Sequence, residues 1–457
     1  MGVYLLLIVG ATTSMAEAAA ACTGWPACGD GYALPTERAG WVALGHRALA
    51  VAVGLLVVVS TALAWRNQEP RRVRLALTLA LVLFPVQAGL GALTATGWLP
   101  AALGSAHLLV GVVIFAGVIA ALAWWLEGET GTPDDAPGDF EPGTDHLPPA
   151  EEAPEAPIPT ATIPRLKATV FAYFRLMKPR LMWLLCLVAA AAMALAGGPG
   201  FTPATVAATL VGGSLAIGAS GTFNHVLERD VDKRMQRTSD RPLATDLVPV
   251  PRAVAFGLLL TALSVGLFLT VNVLTAALGL FAILFYSVVY TLVLKPNTVQ
   301  NTVLGGAAGA LPALIGWAAV TGELGGGGLL LALVIFLWTP AHFYNLALAY
   351  KDDYERGGFP MMPVVHGETA TRRHIIWYLG ATLVAAAVLA LVAEPLGGLY
   401  AAVGVALGAI FLWMVVRLHY ERTEAAAFRA FHASNAYLGL LLFAVVIDAL
   451  VIDAIMI

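Results

Sequence analysis

The stretch Gly221-Thr-Phe-Asn224-His-Val-Leu-Glu228-Arg-Asp230-Val-Asp232 ends a long apolar run with an amide and carboxylates. Residues spaced by four lie on one face of a helix, so Asn224, Glu228 and Asp232 are expected to point the same way. Oxygen ligands without cysteine or histidine suit a hard cation such as Mg2+, which commonly accompanies a substrate phosphate. Charge at a membrane edge is costly unless it is used. The stretch therefore predicts a membrane helix that ends in a site for metal and diphosphate.

The composition of the whole chain supports a membrane protein. Its 457 residues are 59% hydrophobic and 12% charged, and the mean hydropathy is +0.81. These values exclude an ordinary soluble globule. Apolar runs long enough to cross a bilayer recur along the chain, and their mixture of glycine and alanine with leucine and valine favours helices over barrel strands. We therefore predict an all-α polytopic membrane protein embedded in the lipid bilayer.

The apolar runs predict thirteen spans in two groups. The first group is a four-helix unit at residues 3–19, 41–65, 73–95 and 102–126. The second is a nine-helix unit at residues 181–196, 202–224, 252–270, 273–294, 301–321, 328–350, 374–393, 399–418 and 434–456. Residues 1–21 also fit a cleaved signal peptide, but they lack a positively charged beginning. We expect the first span to be retained.

An acidic segment separates the two groups. Residues 127–164 hold ten carboxylates and many prolines but no lysine or arginine, which is typical of a disordered linker. We predict a four-helix unit at 1–126, a linker at 127–165 and a second unit at 166–457. Basic residues crowd the short loop from Arg66 to Arg74, so this loop and the loop after Asn224 are expected to be cytoplasmic, in a cell membrane.

Basic side chains follow the first acidic helix end at once. The chain continues Lys233-Arg-Met-Gln-Arg237-Thr-Ser-Asp-Arg241-Pro-Leu243. The planar fork of arginine binds phosphate oxygens in pairs, so Arg237 and Arg241 are candidates to hold a leaving diphosphate. The alternative is that these arginines only anchor the loop on the cytoplasmic side.

A second polar patch lies four predicted helices later. Asn345 and Asp353 are eight residues apart, as Asn224 and Asp232 are, although Ala349 stands at the middle position. Lys351 and Asp352 lie within one turn of it. Two such patches on one face of the membrane can hold metal and diphosphate between them. Each patch alone is also compatible with an ordinary polar helix end.

Further motifs in the same order make a family resemblance specific. They are Tyr290-Thr-Leu-Val-Leu-Lys295, Gly309-Ala-Leu-Pro312-x3-Gly316-Trp317 and Asp353-Tyr-x3-Gly-Phe-Pro360-Met-Met-Pro363. Together with the two patches and the arginine-rich tail, they resemble the UbiA superfamily of intramembrane prenyltransferases. Within it they are most similar to the haem O synthases, which are protohaem IX farnesyltransferases. The resemblance covers residues 174–457.

The resemblance implies a reaction and a set of residues. The farnesyl group of farnesyl diphosphate would pass to a vinyl group of haem B, and water addition would give haem O and diphosphate. The implied metal ligands for Mg2+ are Asn224, Glu228, Asp232, Asp352 and Asp353, and the implied diphosphate ligands are Arg237, Arg241, Lys295 and Lys351. His342 belongs to a His-Phe pair similar to one in the haem O synthases, so it is a candidate haem contact, although a buried structural histidine is an equal alternative.

The first unit carries histidines of its own. His46 and His107 lie near the outer ends of two spans that cross in the same direction, where imidazoles can clamp a haem iron. Cys22 and Cys28 share an outward-facing loop, where a disulfide is permitted. Cys22-Thr-Gly-Trp-Pro-Ala-Cys28, His46-Arg47, Gln87-Ala-Gly-Leu-Gly91 and Ala106-His107-Leu together resemble one half of a haem A synthase. The resemblance implies a haem-binding unit that acts with a second copy or with a separate haem A synthase.

Two other functions fit parts of the pattern. One is a different UbiA-type reaction, the prenylation of a quinone precursor or an archaeal lipid. The other is a haem chaperone or transporter without chemistry. Transporters place ionisable residues near the middle of the membrane, whereas these carboxylates lie at helix ends. We therefore expect an enzyme, and no feature of the chain predicts binding to nucleic acid.

Overall fold

The computed structural model describes residues 1–15, 22, 24–28, 34–95, 102–132, 162–393 and 396–456. All regular secondary structure within these ranges is helical. Twelve of the helices in the described ranges are long and apolar enough to cross a membrane. The predicted fold class, an all-α multi-pass membrane protein, is confirmed.

The first unit contains four helices. They are α1 (Gly2–Met15), α2 (Arg38–Arg66), α3 (Arg71–Ala95) and α4 (Ala102–Thr130). The last three lie within a few residues of the predicted spans, because apolar length alone fixes where such helices run. Helix α1 is described over 14 residues and is not among the twelve membrane-crossing candidates. The rest of its predicted span, residues 16–19, lies outside the described residues.

One helix of more than ten residues was not predicted from the sequence. Helix α5 (Thr162–Leu176) begins inside the predicted linker, and α4 also runs four residues beyond the predicted span end at residue 126, to Thr130. Helix α5 is amphipathic: Val170 and Phe171 are exposed, whereas Leu176 is fully buried. A short amphipathic helix next to a proline-rich acidic segment lacks the long apolar run on which the prediction of spans depends.

The second unit contains nine membrane-crossing helices within the described residues. They are α6 (Pro179–Ala196), α7 (Pro203–Leu227), α9 (Val250–Leu269), α10 (Val273–Leu284) with its continuation, α12 (Asn301–Thr321), α13 (Gly326–Ala349), α16 (Gly367–Val392), α17 (Gly398–Glu421) and α18 (Glu424–Met456). Helix α10 continues as a π-helical segment (Phe285–Leu294) and the short α11 (Lys295–Asn297). Helices α16 and α18 begin seven and ten residues earlier than predicted, since their polar first turns extend beyond the apolar run.

Three short helices cover one end of the second unit. They are α8 (Arg229–Asp232), α14 (Lys351–Arg356) and α15 (Met362–Val365), and we call this end the polar mouth. Beneath it the long helices approach one another closely at small residues. A Cβ atom added to Gly316 of α12 would lie 2.3 Å from the backbone oxygen of Ala189 in α6. Such contacts between small residues are a common way of packing helices in membranes.

The two units are in direct contact. Helices α1 and α4 pack against α16 and α17. At one end of α4, Glu127 forms ion pairs with Arg72, at 2.6 Å, and with Arg373 of α16. One turn further on, the Thr130 hydroxyl lies 3.3 Å from Nδ1 of His419 in α17. The first unit is therefore docked on the second through both apolar and charged contacts.

Candidate active site

The first polar patch has the geometry that its spacing predicts. Asn224 lies in the last turn of α7, Glu228 caps that helix, and Asp232 ends α8. The helical hydrogen bonds continue through the junction, with Glu228 N 2.9 Å from Asn224 O and Asp232 N 2.8 Å from Glu228 O. The three residues are only 2%, 6% and 2% exposed. They therefore form one buried row of oxygen atoms.

Basic side chains surround this row. Lys295 Nζ lies 2.5 Å from Glu228 Oε1, and Arg241 Nη1 lies 2.8 and 2.9 Å from the two carboxylate oxygens of Asp232. Lys178 Nζ donates to Asn224 Oδ1. Buried charges are tolerated in proteins when they are paired in this way. Two of the predicted diphosphate ligands, Arg241 and Lys295, are thus beside the predicted metal ligands.

The electrostatics of the patch follow from burial and these neighbours. Burial raises the pKa of Glu228, but the charges of Lys295, Lys178 and Arg241 outweigh it and hold that pKa below its ordinary value. Burial raises the pKa of Asp232 above its ordinary value, although Arg241 opposes it. Burial, together with the charge of Arg241, lowers the pKa of Lys178 to about 7. An anionic ligand beside Lys178 would favour its protonated form.

Lys178 is a site residue that the sequence analysis missed. It lies between α5 and α6 in a left-handed conformation, with φ of 54°. Gly221 of α7 makes room for it, because a Cβ atom there would lie 2.8 Å from Leu176 O and 3.2 Å from Cγ of Lys178. A lysine just before an apolar span resembles a membrane anchor. Only the buried hydrogen bond to Asn224 distinguishes Lys178 from such an anchor.

The π-helical segment supports the same row from the opposite side. Asn224 Nδ2 lies 3.1 Å from the Thr291 hydroxyl, which in turn donates to the backbone oxygen of Tyr286 at 2.8 Å. The Tyr286 hydroxyl lies 3.4 Å from Lys178 Nζ. Departures from α-helical geometry of this kind are frequent at functional sites. Here the segment orients both Asn224 and Lys295, which follows it directly.

The second polar patch is joined to the first through one carboxylate. Asp353 is 5% exposed, and its oxygens accept hydrogen bonds from the backbone nitrogens of Gln236 and Arg237 at 3.0 and 2.9 Å. These two residues belong to the loop that follows Asp232. Arg356 lies 3.0 Å from the same carboxylate. The two distant helix ends therefore meet at the polar mouth, as the pattern predicts.

The other polar residues of the second patch are placed less favourably than Asp353 for binding metal or diphosphate. Asp352 is exposed, and Lys351 forms an ion pair of 3.5 Å with Glu368 of α16. Asn345 is fully buried, and its Oδ1 has no hydrogen-bond partner among the described residues. The proposed roles of Asp352 and Lys351 remain predictions, and Asn345 offers an unused amide oxygen.

Arg237 lies at the junction of the two patches. Its guanidinium carbon is 5.2 Å from the ring centre of Tyr350 and 5.6 Å from that of Tyr354. Its Nε is buried without a hydrogen-bond partner in the described part of the chain. Stacking on two aromatic rings holds the guanidinium while leaving its edge available for an anion.

The donor set suits a hard cation. Within the described residues, no group of three or more histidine, cysteine, aspartate or glutamate side chains is in position to hold a metal. Instead Arg241, Lys295 and Arg356 supply the positive charge beside Asp232, Glu228 and Asp353. Buried carboxylate and amide oxygens in one row are the ligand type that Mg2+ prefers. The residues therefore fit the predicted metal in chemistry.

An apolar cavity opens directly beside the row. Lys178 and Tyr286 lie at its polar end, and its walls are otherwise formed by α6, α7, α10 and α12. The wall residues include Leu185, Ala189, Leu210, Ile217, Pro312 and Ile315. A cavity lined in this way accommodates a hydrocarbon chain and excludes water.

His342 lies in an aromatic sandwich within α13. Its ring stacks on Trp338 at 4.2 Å and on Phe431 at 4.3 Å, and its Nδ1 lies 2.6 Å from the Ser434 hydroxyl. These contacts satisfy one ring nitrogen and fix the plane of the ring. They agree with the structural alternative as well as with a haem contact, so the haem contact stays a prediction.

The first unit brings together the residues predicted to bind haem. His46 and His107 interact electrostatically, and the Nδ1 atoms of both are buried without hydrogen-bond partners in the described ranges. Gln87 Nε2 lies 3.3 Å from Nε2 of His107. Cys22 and Cys28 form a disulfide, and Arg47 binds the backbone oxygens of the surrounding loop. Two half-buried imidazoles, each with a buried and unused Nδ1 atom, fit haem ligation.

Comparisons with known proteins agree with this geometry. A model of the UbiA prenyltransferase family matches residues 184–441, and a model described as a cytochrome oxidase assembly protein matches residues 35–142. The chain belongs to the UbiA prenyltransferase family. It is 61% identical to protoheme IX farnesyltransferase 1 of Natronomonas pharaonis over 99% of this chain and 97% of that protein.

Other relatives carry the same name. The protoheme IX farnesyltransferase of Haloarcula marismortui is 62% identical over 98% of this chain and 96% of its own length. That of Mycobacterium avium is 44% identical over 64% of this chain and 95% of its own length. A solved structure of digeranylgeranylglyceryl phosphate synthase shares the fold, with a TM-score of 0.51 and 14% identity over 62% of this chain and 99% of that one.

Proposed function

We propose that this chain transfers the farnesyl group of farnesyl diphosphate to a vinyl group of haem B, with addition of water, and so forms haem O and diphosphate. The observation that carries the proposal is the buried row of Asn224, Glu228 and Asp232, ringed by cations at the mouth of an apolar cavity. Relatives about 60% identical over nearly the full chain confirm the predicted class, a prenyltransferase that acts on haem.

The row and its cations account for binding of the diphosphate. Three cations at the row can bind phosphate oxygens in place of their present carboxylate and amide partners: Lys178, Arg241 and Lys295. Arg237 adds a guanidinium from the loop between the two patches. Asn224, Glu228, Asp232 and Asp353, with Asp352 at the rim, would hold Mg2+, whose charge lowers the cost of expelling diphosphate. The protein's contribution is positive charge fixed in advance where negative charge develops.

The cavity accounts for the fate of the farnesyl group. The bond between farnesyl C1 and the diphosphate oxygen breaks, and diphosphate leaves with the electron pair. The electron pair of a haem vinyl group then forms a bond to C1, which leaves a cation on the carbon next to the porphyrin. Water adds to that carbon and releases a proton, giving the hydroxyethylfarnesyl group. The apolar wall residues keep water from the farnesyl cation until the carbon–carbon bond has formed.

The alternatives are less well supported. Prenylation of a quinone precursor or an archaeal lipid would use the same fold, since digeranylgeranylglyceryl phosphate synthase shares it. The full-length relatives are named for the haem reaction, however. A transporter or chaperone would have no need of buried carboxylates, each held by a cation, beside an apolar cavity.

The proposal is tested by supplying defined substrates. Purified full-length protein with haem B, farnesyl diphosphate and Mg2+ is expected to form a product with the mass of haem O. In parallel reactions, geranylgeranyl diphosphate replaces farnesyl diphosphate as the donor. A quinone precursor or an archaeal lipid replaces haem B as the acceptor. Prenylation of one of these acceptors without haem O formation would contradict the proposal.

For the first unit, we propose that His46 and His107 bind haem. Their buried Nδ1 atoms and the contact of Gln87 with His107 support this assignment. One such unit resembles half of a haem A synthase, so we propose that it acts with a second copy of the chain or a separate haem A synthase. We also propose units at 1–126 and 166–457 joined by the acidic segment, in a cell membrane with the polar mouth facing the cytoplasm.

A further inference from the structure

A second, polar cleft opens at the mouth beside Asp353. It has a volume of about 520 Å³ and lies between α14, the ends of α13 and α17, and the first turns of α16 and α18. Its size falls within the range of small-molecule sites, roughly 300–1,000 Å³. None of its wall residues lines the apolar cavity. The two cavities are therefore separate, and the cleft reaches the reaction centre through Asp353 and Arg237, which form part of its wall.

The cleft is rich in cations. Its basic wall residues are Arg237, Lys351, Arg356, Arg372 and Arg422, against the acidic residues Asp352, Asp353, Glu368 and Glu424. Glu368 is shared by Lys351 and Arg372, and Asp353 holds Arg356. If Asp353 holds the metal, as proposed above, the charge of Arg356 is released to the cleft. The cleft then has positive charge in excess, which suits an anionic ligand.

Arg422 is the cation least engaged by the protein. It is exposed, and it forms no ion pair with any described carboxylate; its Nε lies 3.4 Å from the backbone oxygen of His419. It caps α17 in the left-handed region, with φ of 49°, where glycine or asparagine is usual. An arginine in a backbone conformation that favours glycine, on the wall of a cleft, is a candidate for binding a ligand there.

An aromatic surface lies next to these cations. Tyr350 lines the cleft, and the ring of Phe428 in α18 meets it edge-on, with ring centres 5.5 Å apart. Arg237 stacks on Tyr350 from the loop that follows α8. Aromatic rings beside guanidinium groups suit an aromatic ligand that carries carboxylates. Haem B has this chemistry, since its porphyrin bears two propionates.

We infer that this cleft binds the propionates of haem B, with Arg422 as their main partner and Arg372 and Lys351 beside it. The inference rests on the proposed function and assigns the site of its second substrate. In haem B the vinyl groups lie toward the part of the ring away from the propionates. Anchoring the propionates in the cleft thus turns a vinyl group toward Asp353 and the diphosphate. Arg422 acts by positioning the acceptor and takes no part in the chemistry.

The test separates the two substrates. Arg422→Gln in the full chain is expected to raise the KM for haem B about tenfold, the effect of losing one charged hydrogen bond, while the KM for farnesyl diphosphate and kcat stay unchanged. Arg422→Lys is expected to restore most of the affinity, because it keeps the charge. Arg417→Gln is the matched control, since Arg417 lies on the same helix but is paired with Glu421 outside the cleft.

A chemical change in the substrate tests the same contact without any mutation. The dimethyl ester of haem B lacks the two carboxylate charges and is expected to show the raised KM with the wild-type protein. With Arg422→Gln the difference in KM between the ester and the free acid should become smaller, because only Arg372 and Lys351 remain to bind the propionates. Equal use of the two by the wild type would overturn the inference.

Two further outcomes are distinguishable. A raised KM for farnesyl diphosphate in Arg422→Gln would show that the cleft holds diphosphate, and the inference would be wrong while the proposed function stands. Absence of haem O with the wild-type protein would overturn the proposed function itself, and this inference with it.

Discussion

The buried carboxylates of the second membrane unit and the two histidines of the first differ in whether they have partners. At the polar mouth of the second unit, Glu228, Asp232 and Asp353 are each held by a lysine or arginine. In the first unit, the Nδ1 atoms of His46 and His107 are buried without partners in the described part of the chain. A buried polar atom without a partner is costly, so such an atom in a native protein calls for an explanation.

The difference teaches what each unit is prepared to bind. Paired charges can exchange partners, so a site made of them accepts an anion and a cation together and releases them again. The Nδ1 atoms of His46 and His107 suit a ligand that coordinates nitrogen, as proposed for haem. On this proposal the second unit releases its ligands after each turnover, whereas the first keeps its ligand bound. If this is correct, each unit can be disabled without the other.

The largest effect is expected from the carboxylates of the second unit. Asp232→Asn and Asp353→Asn each remove a charge that is proposed to bind the metal, and each should lower haem O formation by roughly 10³-fold. Product is measured by mass after fixed times, and the haem absorption of the first unit should be unchanged. Turnover at the wild-type rate in either variant would remove that residue from the metal site.

Lys178→Gln is expected to have the next largest effect. It removes one buried charge beside Asn224, so kcat/KM for farnesyl diphosphate should fall about 10- to 100-fold, the value of a charged hydrogen bond. Arg180→Gln is the matched control, because Arg180 lies two residues away, is exposed and forms no ion pair with any described carboxylate. An equal fall in kcat/KM in both variants would show that the conformation of the loop before α6, and not the charge of Lys178, determines the rate.

His46→Ala tests the first unit. It should abolish the reduced-minus-oxidised haem spectrum of the full-length protein, because the haem proposed for this unit would lose one of its two ligating histidines. Haem O formation should continue at the wild-type rate. A variant that keeps the spectrum, or that loses haem O formation together with it, would contradict the separation of the two units.

The smallest effect concerns the contact between the units. Glu127→Gln removes the charge shared by Arg72 and Arg373, and should lower the free energy of unfolding by about 1–2 kcal/mol. Thermal unfolding in detergent measures this as a lower midpoint. Glu129→Gln, at an exposed carboxylate two residues away, should leave the midpoint unchanged. Equal midpoints for the two variants would mean that apolar contacts alone dock the units.

Much of the fold could be predicted because it depends on local properties. Apolar length located every membrane-crossing helix from α2 to α18 within the described residues, with the larger errors at the polar first turns of α16 and α18. Helix α5 was missed because an amphipathic surface helix lacks a long apolar run. The shared face of Asn224, Glu228 and Asp232 was also predictable, since helical spacing fixes it.

The site was predictable only in part. The arrangement of Arg241 and Lys295 around the acidic row agrees with the roles predicted for them. Lys178 was missed because a lysine before a span has the same local sequence whether it anchors the helix or turns into the protein. Lys351 and Asp352 were grouped with Asp353 by proximity in sequence; Asp352 is exposed and Lys351 is paired with Glu368, so their roles stay predictions.

By itself the sequence determined the kinds of atoms available: apolar spans of membrane length, oxygen ligands at helix ends and cations beside them. Those features follow from side-chain chemistry and helical periodicity, which act over a few residues. Only the tertiary structure decided that Asp353 binds the loop after Asp232, that Lys178 reaches Asn224, and that Arg422 lines a cleft apart from the apolar cavity. These contacts join residues far apart in the chain, and they depend on how the helices pack rather than on the sequence around any one of them.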